Sequence, residues 1–146
     1  MAGYSGTPLL KKLGIKDGHR VALVSAPRAL PAELAGVTAA RGGECDVIVL
    51  FADKKSALVK RFATAAKRLH PDGGLWVAWP KKASGVPTDL SEGVVREIAL
   101  AAGLVDNKVC AIDDVWSGLR CVYRLADRPK SRSRASSTKV RTRADK

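Results

Sequence analysis

Apolar positions in this chain alternate between short unbroken runs and stretches that repeat every three or four residues. The runs are His19–Ser25 (HRVALVS), Asp46–Phe51 (DVIVLF) and Leu75–Trp79 (LWVAW). Unbroken apolar runs of this length predict inner strands covered on both faces. DVIVLF adds a β-branched composition that suits a strand. Between the second and third runs, Leu58, Phe62, Ala65, Ala66 and Leu69 recur at helical spacing, with Lys54, Lys55, Lys60, Arg61, Lys67 and Arg68 mostly elsewhere. That pattern predicts a helix with a buried stripe and a solvated basic face, capped by Asp53 and ending near Leu69. A second stripe, Val94, Val95, Ile98, Ala101 and Ala102, predicts another helix. Thr88, Asp89 or Ser91 would cap it, and Gly103 would stop it.

The remaining elements are shorter. A helix begins near Pro8, with Thr7 or Ser5 as its cap, and ends at Gly14. Leu30–Ala35 reads as a short helix and Val37–Ala40 as a small second strand before the Arg41-Gly42-Gly43 turn. Leu104–Ile112 and Leu119–Leu125 read as a hairpin joined through Asp113–Gly118. Symmetric pairing about Val115 and Trp116 would set Cys110 opposite Cys121, as two small apolar fillers or a redox-sensitive pair.

The stretch Leu69–Leu90 (LHPDGGLWVAWPKKASGVPTDL) links these parts. His70-Pro71 reads as a helix end, with the imidazole near the last carbonyls. Asp72-Gly73-Gly74 reads as a turn, the Trp-containing run as a strand, and Pro80 as its stop. Strands alternating with helices imply a three-layer, Rossmann-like α/β fold. Its sheet is mostly parallel, with right-handed crossovers and a C-terminal antiparallel hairpin.

A length of 146 residues with 46% hydrophobic and 27% charged residues fits one globular domain. No apolar stretch approaches the length of a membrane span, and MAGYSGTPLLKKLG lacks the order of a secretory signal. No membrane association and a cytoplasmic location are therefore expected. Three cysteines without a CxxC pair, and two histidines without neighbouring ligand types, argue against a disulfide framework or a metal site. The net charge of +12 is unevenly spread: residues 128–146 carry eight basic groups and one acid. Residues 1–127 are expected to form the domain and 128–146 a disordered basic tail. The tail suits a solubilising role and weak binding to nucleic acid or an acidic protein equally well.

In open α/β sheets, ligands sit beyond the carboxyl ends of the strands. This rule brings Lys81, Lys82, Ser84, Gly85, Thr88, Asp53 and Trp116 to one rim, with Asp113 and Asp114 beside them. Two ammonium groups, hydroxyls and a glycine backbone in one loop suit a phosphate or carboxylate. The alternative is a solvated loop with Asp53 as a plain helix cap. No nucleophile–base pair is evident, and no residue is assigned as catalytic. Asp53 and Asp113 are the only general-base candidates.

LGIKDGHRVALV, DVIVLF and LHPDGGLWVAW resemble a shortened class I methyltransferase. That resemblance implies strand one after a glycine-containing lead-in, a glycine turn before a later strand, and a terminal hairpin. Where that family has a glycine-rich turn after strand one, this chain has Ser25-Ala26-Pro27-Arg28. Nor is an acid evident at the end of strand two. These departures argue against ordinary S-adenosylmethionine binding, and no cofactor is expected. Over Ala2–Leu125, the segments AGYSGTPL, LWVAWPKKASGVPTDL and WSGL resemble the uncharacterised bacterial family called domain of unknown function 3052. The reading that follows is a non-catalytic binding or regulatory module on a methyltransferase-like scaffold. The alternatives are a small transferase acting on an anionic substrate and nucleic-acid association through the tail.

Overall fold

The computed structural model describes residues 8–30, 32–37 and 39–124. In chain order its elements are α1 (Leu9–Leu13), β1 (Val21–Val24), α2 (Ala32–Ala35), β2 (Cys45–Phe51), α3 (Lys55–Arg68), β3 (Leu69–Pro80), α4 (Glu92–Ala101), β4 (Leu104–Ala111) and β5 (Trp116–Tyr123). The five strands form one sheet in the order β1-β2-β3-β5-β4. β1, β2 and β3 pair in parallel, whereas β5 is antiparallel to both β3 and β4. The expected three-layer architecture, with its parallel start and antiparallel end, is the one the chain adopts. Residues 1–7 and 125–146 lie outside the described residues, and with them the Thr7 or Ser5 cap and the basic tail. No helix among the described residues is long and apolar enough to cross a membrane.

Alternation along β2 and β3 divides the core. Ile48, Leu50, Leu75, Val77 and Trp79 face α3 and α4, meeting Leu58, Phe62, Val95 and Ala99. Val47, Val49, Phe51, Trp76 and Ala78 face the other way, onto Leu9, Leu13 and Leu34 of α1 and α2. A strand covered on both faces cannot leave a polar group unsatisfied, and Trp76 has one. Its indole Nε1–H donates to the Leu13 carbonyl at 2.9 Å, wholly inside the protein. That bond joins the last residue of a five-residue helix to the centre of the sheet. Gly14, at φ 77°, ends α1 in the left-handed region that glycine adopts without strain.

Several expectations change. β3 starts at Leu69, directly where α3 stops, so His70 is a strand residue rather than a helix-end residue. Its Nδ1 accepts the Asp72 N–H at 3.0 Å. The Asp72-Gly73-Gly74 segment lies within β3 as an irregularity: Cys45 pairs with Leu69, but Val47 pairs with Gly74. Gly73 permits this, because a Cβ there would come within 2.5 Å of the Asp46 carbonyl oxygen. The predicted second strand shrinks to one parallel bridge between Ala39 and Val21.

The hairpin register also differs. Cys110 lies opposite Gly118, and Cys121 opposite Asp106. Cys121 packs with the α3/α4 face and Cys110 against the α1/α2 face, so the two thiols are not a pair. Two contacts set this register. The Asp113 carboxylate accepts the N–H groups of Val115 and Trp116, each at 2.8 Å, which closes the turn early. Gly118 lies beneath Trp76 and Ile112, where a Cβ would meet their side chains at 3.1 and 3.0 Å. Burial, with the nearby Asp106 carboxylate, pushes the Cys121 thiol up to about 12. It is therefore neutral and poorly nucleophilic at physiological pH.

Replacing Trp76 with Phe is expected to lower stability by about 2 kcal/mol, because the Leu13 carbonyl loses its donor and the smaller ring leaves a void. Chemical denaturation of both proteins measures this. A loss under about 0.5 kcal/mol, the level of an ordinary surface change, would show that the indole bond does not hold α1.

Candidate functional site

Three parallel strands end on the same side of the sheet, and a cleft of about 360 Å³ opens there. Its walls come from four places. Ser25 and Pro27 follow β1; Phe51, Ala52 and Asp53 end β2; Ala57 and Arg61 stand one turn apart on α3. Val86 belongs to the loop after β3, and Trp116 opens β5.

Each wall has a local cause. Ser25 is the one non-glycine residue with positive φ among the described residues, at 55°. A side chain in that region costs on the order of 1 kcal/mol, so the turn after β1 is held against a local preference. Phe51 is buried, and Trp116 meets it edge to face, with centroids 5.1 Å apart and planes at 86°. This is the favoured aromatic geometry, and it fixes the half-buried indole at the mouth of the cleft. Ala52 N–H donates to the Ala78 carbonyl at 3.0 Å, carrying sheet pairing to the edge of the site.

Asp53 does not cap α3, contrary to expectation. The N-cap residue is Lys54, which makes no side-chain capping bond. The cap arrives from another loop: the Asp89 carboxylate accepts the Lys55 N–H at 2.7 Å. Thr88 joins it by donating its hydroxyl to the Asp53 carbonyl at 2.7 Å. The Asp53 carboxylate is exposed, lines the cleft, and makes no hydrogen bond to a described residue. Ser91 caps α4, accepting from Val94 N–H at 3.3 Å.

The lysine loop is built by its own hydroxyls. Ser84 donates to the Lys81 carbonyl at 2.6 Å and accepts from Val86 N–H at 3.2 Å. Gly85 follows at φ 78° as the cap of the Lys82–Ser84 turn. Lys81 N–H donates to the Val115 carbonyl at 2.7 Å, which ties the loop beside Trp116. Of the residues expected at this rim, Asp53 and Trp116 line the cleft. Lys81, Lys82, Ser84, Gly85 and Thr88 form the loop beside it. The guanidinium in the wall is Arg61, which sequence periodicity places on the solvent face of α3. The signal that separates it from its neighbours is its four-residue spacing from Ala57, a small residue just inside the helix N-terminus.

The cleft therefore combines an aromatic and aliphatic floor with one hydroxyl, one carboxylate and one guanidinium. Among the described residues, no group of three or more His, Cys, Asp or Glu is placed to hold a metal ion. Asp89→Ala is expected to lower stability by about 1 kcal/mol through loss of the α3 cap, and Asp53→Ala to change it by under about 0.5 kcal/mol. Thermal denaturation of the two variants decides it, and the reverse order would restore Asp53 as the cap.

The family described as "Protein of unknown function (DUF3052)" matches residues 33–125. No curated protein matches the chain. Among solved structures, the chain is similar to LepI in complex with SAM, at 11% identity and TM-score 0.51, covering 80% of this chain and 39% of that one. It is similarly placed against LepI C52A in complex with SAH and a substrate analogue, at 11% identity and TM-score 0.50, with 80% and 39% covered. Magnesium protoporphyrin IX methyltransferase (ChlM) from Synechocystis PCC 6803 with bound SAM gives 14% identity and TM-score 0.45, over 57% of this chain and 41% of that one. The chain spans less than half the length of each, and at these identities the likeness is one of fold. By its match over residues 33–125, the chain belongs to that family of unknown function, carried on a Rossmann-like, methyltransferase-like fold.

Proposed function

We propose that this chain is a non-catalytic binding module whose carboxyl-edge cleft takes a small anionic ligand with an apolar or aromatic body. The observation that carries this reading is that Arg61 and the Phe51–Trp116 pair line one cleft of about 360 Å³. That volume is in the range of small-molecule pockets, and a few polar groups on an apolar floor are their usual chemistry. The anion would meet Arg61, whose planar fork suits a carboxylate or phosphate. Lys81 and Lys82, tied beside Trp116, would add positive potential at the mouth.

Two features favour binding over catalysis. Asp53 makes no hydrogen bond to a base or nucleophile among the described residues, so no activated pair stands in the cleft. S-adenosylmethionine, held as class I methyltransferases hold it, also fits poorly. The turn after β1 contains no glycine, Pro27 offers no N–H, and beyond β1 the described residues form a single bridge at Ala39 rather than a full strand.

The test is a thermal-shift panel of S-adenosylmethionine, S-adenosylhomocysteine, adenine and nicotinamide nucleotides, and acyl-coenzyme A. A ligand at about a hundred times its dissociation constant adds roughly 2.7 kcal/mol, which is several degrees for a domain of this size. At least one anionic compound is expected to shift the wild type. Arg61→Ala and Trp116→Ala are each expected to weaken it by about tenfold or more. Binding that neither substitution alters would overturn the proposal. A shift confined to the two adenosyl compounds would favour the transferase alternative.

A further inference from the structure

The solvent face of α3 carries a single sign of charge. Its residues include Lys55, Lys60, Arg61, Lys67 and Arg68 and no acid, and Lys54 precedes them. All but the half-buried Arg68 are exposed. A helix of 14 residues spreads these cations over about 21 Å. Lys60 and Lys67 share one side of it, two turns apart, as do Arg61 and Arg68. α4, which packs on the same face of the sheet, is different in kind: there Arg96 is paired with Glu92 and with Asp106.

The acids that meet α3 stand at its start. Asp53 precedes it, and the Asp89 carboxylate accepts the Lys55 N–H. Further along, the Lys60 and Lys67 ammonium groups form no ion pair with a described residue. Arg68 donates to the Gly43 carbonyl at 3.1 Å and to Cys45 Sγ at 3.5 Å. Both acceptors are neutral, so its charge is left unbalanced. The chain also leaves the described residues at this end of the helix. The Tyr123 hydroxyl donates to the Ala66 carbonyl at 2.6 Å, one residue before Lys67. Arg124 alone follows among the described residues, and residues 128–146 hold eight more basic groups and one acid. The most basic stretch of the chain is thus tethered at the last turn of α3.

A one-sign face of this length suits a polyanion, and the other side chains narrow the class. The apolar stripe Leu58, Phe62, Ala65 and Ala66 is buried in the core, which leaves Val59 as the exposed large apolar residue of α3. The helix therefore has no apolar face to insert into a lipid surface, nor the aromatic anchors of a protein interface. Single-stranded nucleic acid is held by exposed rings on which bases stack. Phe51, Phe62, Trp76 and Trp79 are buried, while Trp116 packs on Phe51 and Tyr123 is bonded to α3. A duplex needs neither feature, because its dense phosphate charge is met by cations alone. Ser56, Ala63 and Thr64, the remaining exposed side chains of this face, are too short to read base edges past the phosphates.

We propose that the exposed face of α3 docks double-stranded nucleic acid through its phosphates, without reading sequence, and that the cations of residues 128–146 add to the same contact. Neither Lys60 nor Lys67 lines the carboxyl-edge cleft, so this surface and that cleft stand or fall separately.

The test is fluorescence anisotropy of a labelled DNA duplex of about 20 base pairs with the full-length protein, between about 50 and 200 mM salt. A Kd of about 1–100 µM near physiological salt is expected, with affinity falling steeply as salt rises. A duplex of unrelated sequence is expected to bind equally well. Lys60→Gln combined with Lys67→Gln is expected to weaken binding by about tenfold and to flatten the salt slope by about one to two. Lys11→Gln combined with Lys16→Gln removes the same charge from exposed positions away from α3 and is expected to change both quantities far less. Glutamine has about the helix propensity of lysine and all four positions are exposed, so both variants are expected to fold. Equal losses in the two double variants would make net charge the cause and overturn the proposal. An α3 variant that binds like the wild type would assign the contact to residues 128–146 alone and overturn it equally. So would the absence of duplex binding below about 1 mM at low salt, tighter binding of a single strand of the same length, or tighter binding to phosphatidylglycerol vesicles.

Discussion

The buried bond from Trp76 to the Leu13 carbonyl is the constraint around which this fold is arranged. β3 is the middle strand, buried along nearly its whole length, and it presents one indole to the thinner of the two helical layers. α1 has only five residues, too few to be stable alone, so its position depends on tertiary contacts. The indole supplies a donor to the last residue of that helix, and the ring fills the space above Gly118. Through Gly118 the same side chain fixes the register of the terminal hairpin. That register in turn places Trp116 against Phe51 at the cleft. Core packing and site geometry therefore share one side chain.

Much of this was legible in the sequence. The unbroken runs VALV and DVIVLF and the stripe Leu58–Phe62–Ala65–Ala66 identify central strands and an amphipathic helix, because period and β-branching are local properties. Non-local features escaped. Both Asp53 and Asp89 stand near the start of a helix, and only the fold shows that Asp89 caps α3 from 34 residues away. Likewise Glu33, on α2, accepts the Leu9 N–H at 3.0 Å and caps α1 from another element. The hairpin register was missed because symmetry about Val115 ignores the Asp113 carboxylate, which closes the turn sooner. His70-Pro71-Asp72-Gly73-Gly74 looks like a turn by composition, yet the sheet holds it as an irregular strand start.

The candidate site was partly readable. The rule that ligands gather at carboxyl ends of strands leads to Asp53 and Trp116, which line one cleft at that edge. The lysine loop stands beside that cleft, with the Ser84 hydroxyl engaged in shaping the loop. The rule overlooks Arg61, since a cation on a helix repeat reads as solvated until the neighbouring strand ends are in place. The unusual φ of Ser25 has no sequence signature at all.

Because the chain has three tryptophans, Trp76, Trp79 and Trp116, and only Trp116 is at the cleft, ¹⁹F NMR of the 5-fluorotryptophan-labelled protein tests the cleft directly. On addition of adenosine triphosphate or acetyl-coenzyme A, the Trp116 resonance should move while those of buried Trp76 and Trp79 stay in place. Three unmoved resonances, or movement of Trp76 or Trp79 without Trp116, would contradict a ligand site at the carboxyl edge of this sheet.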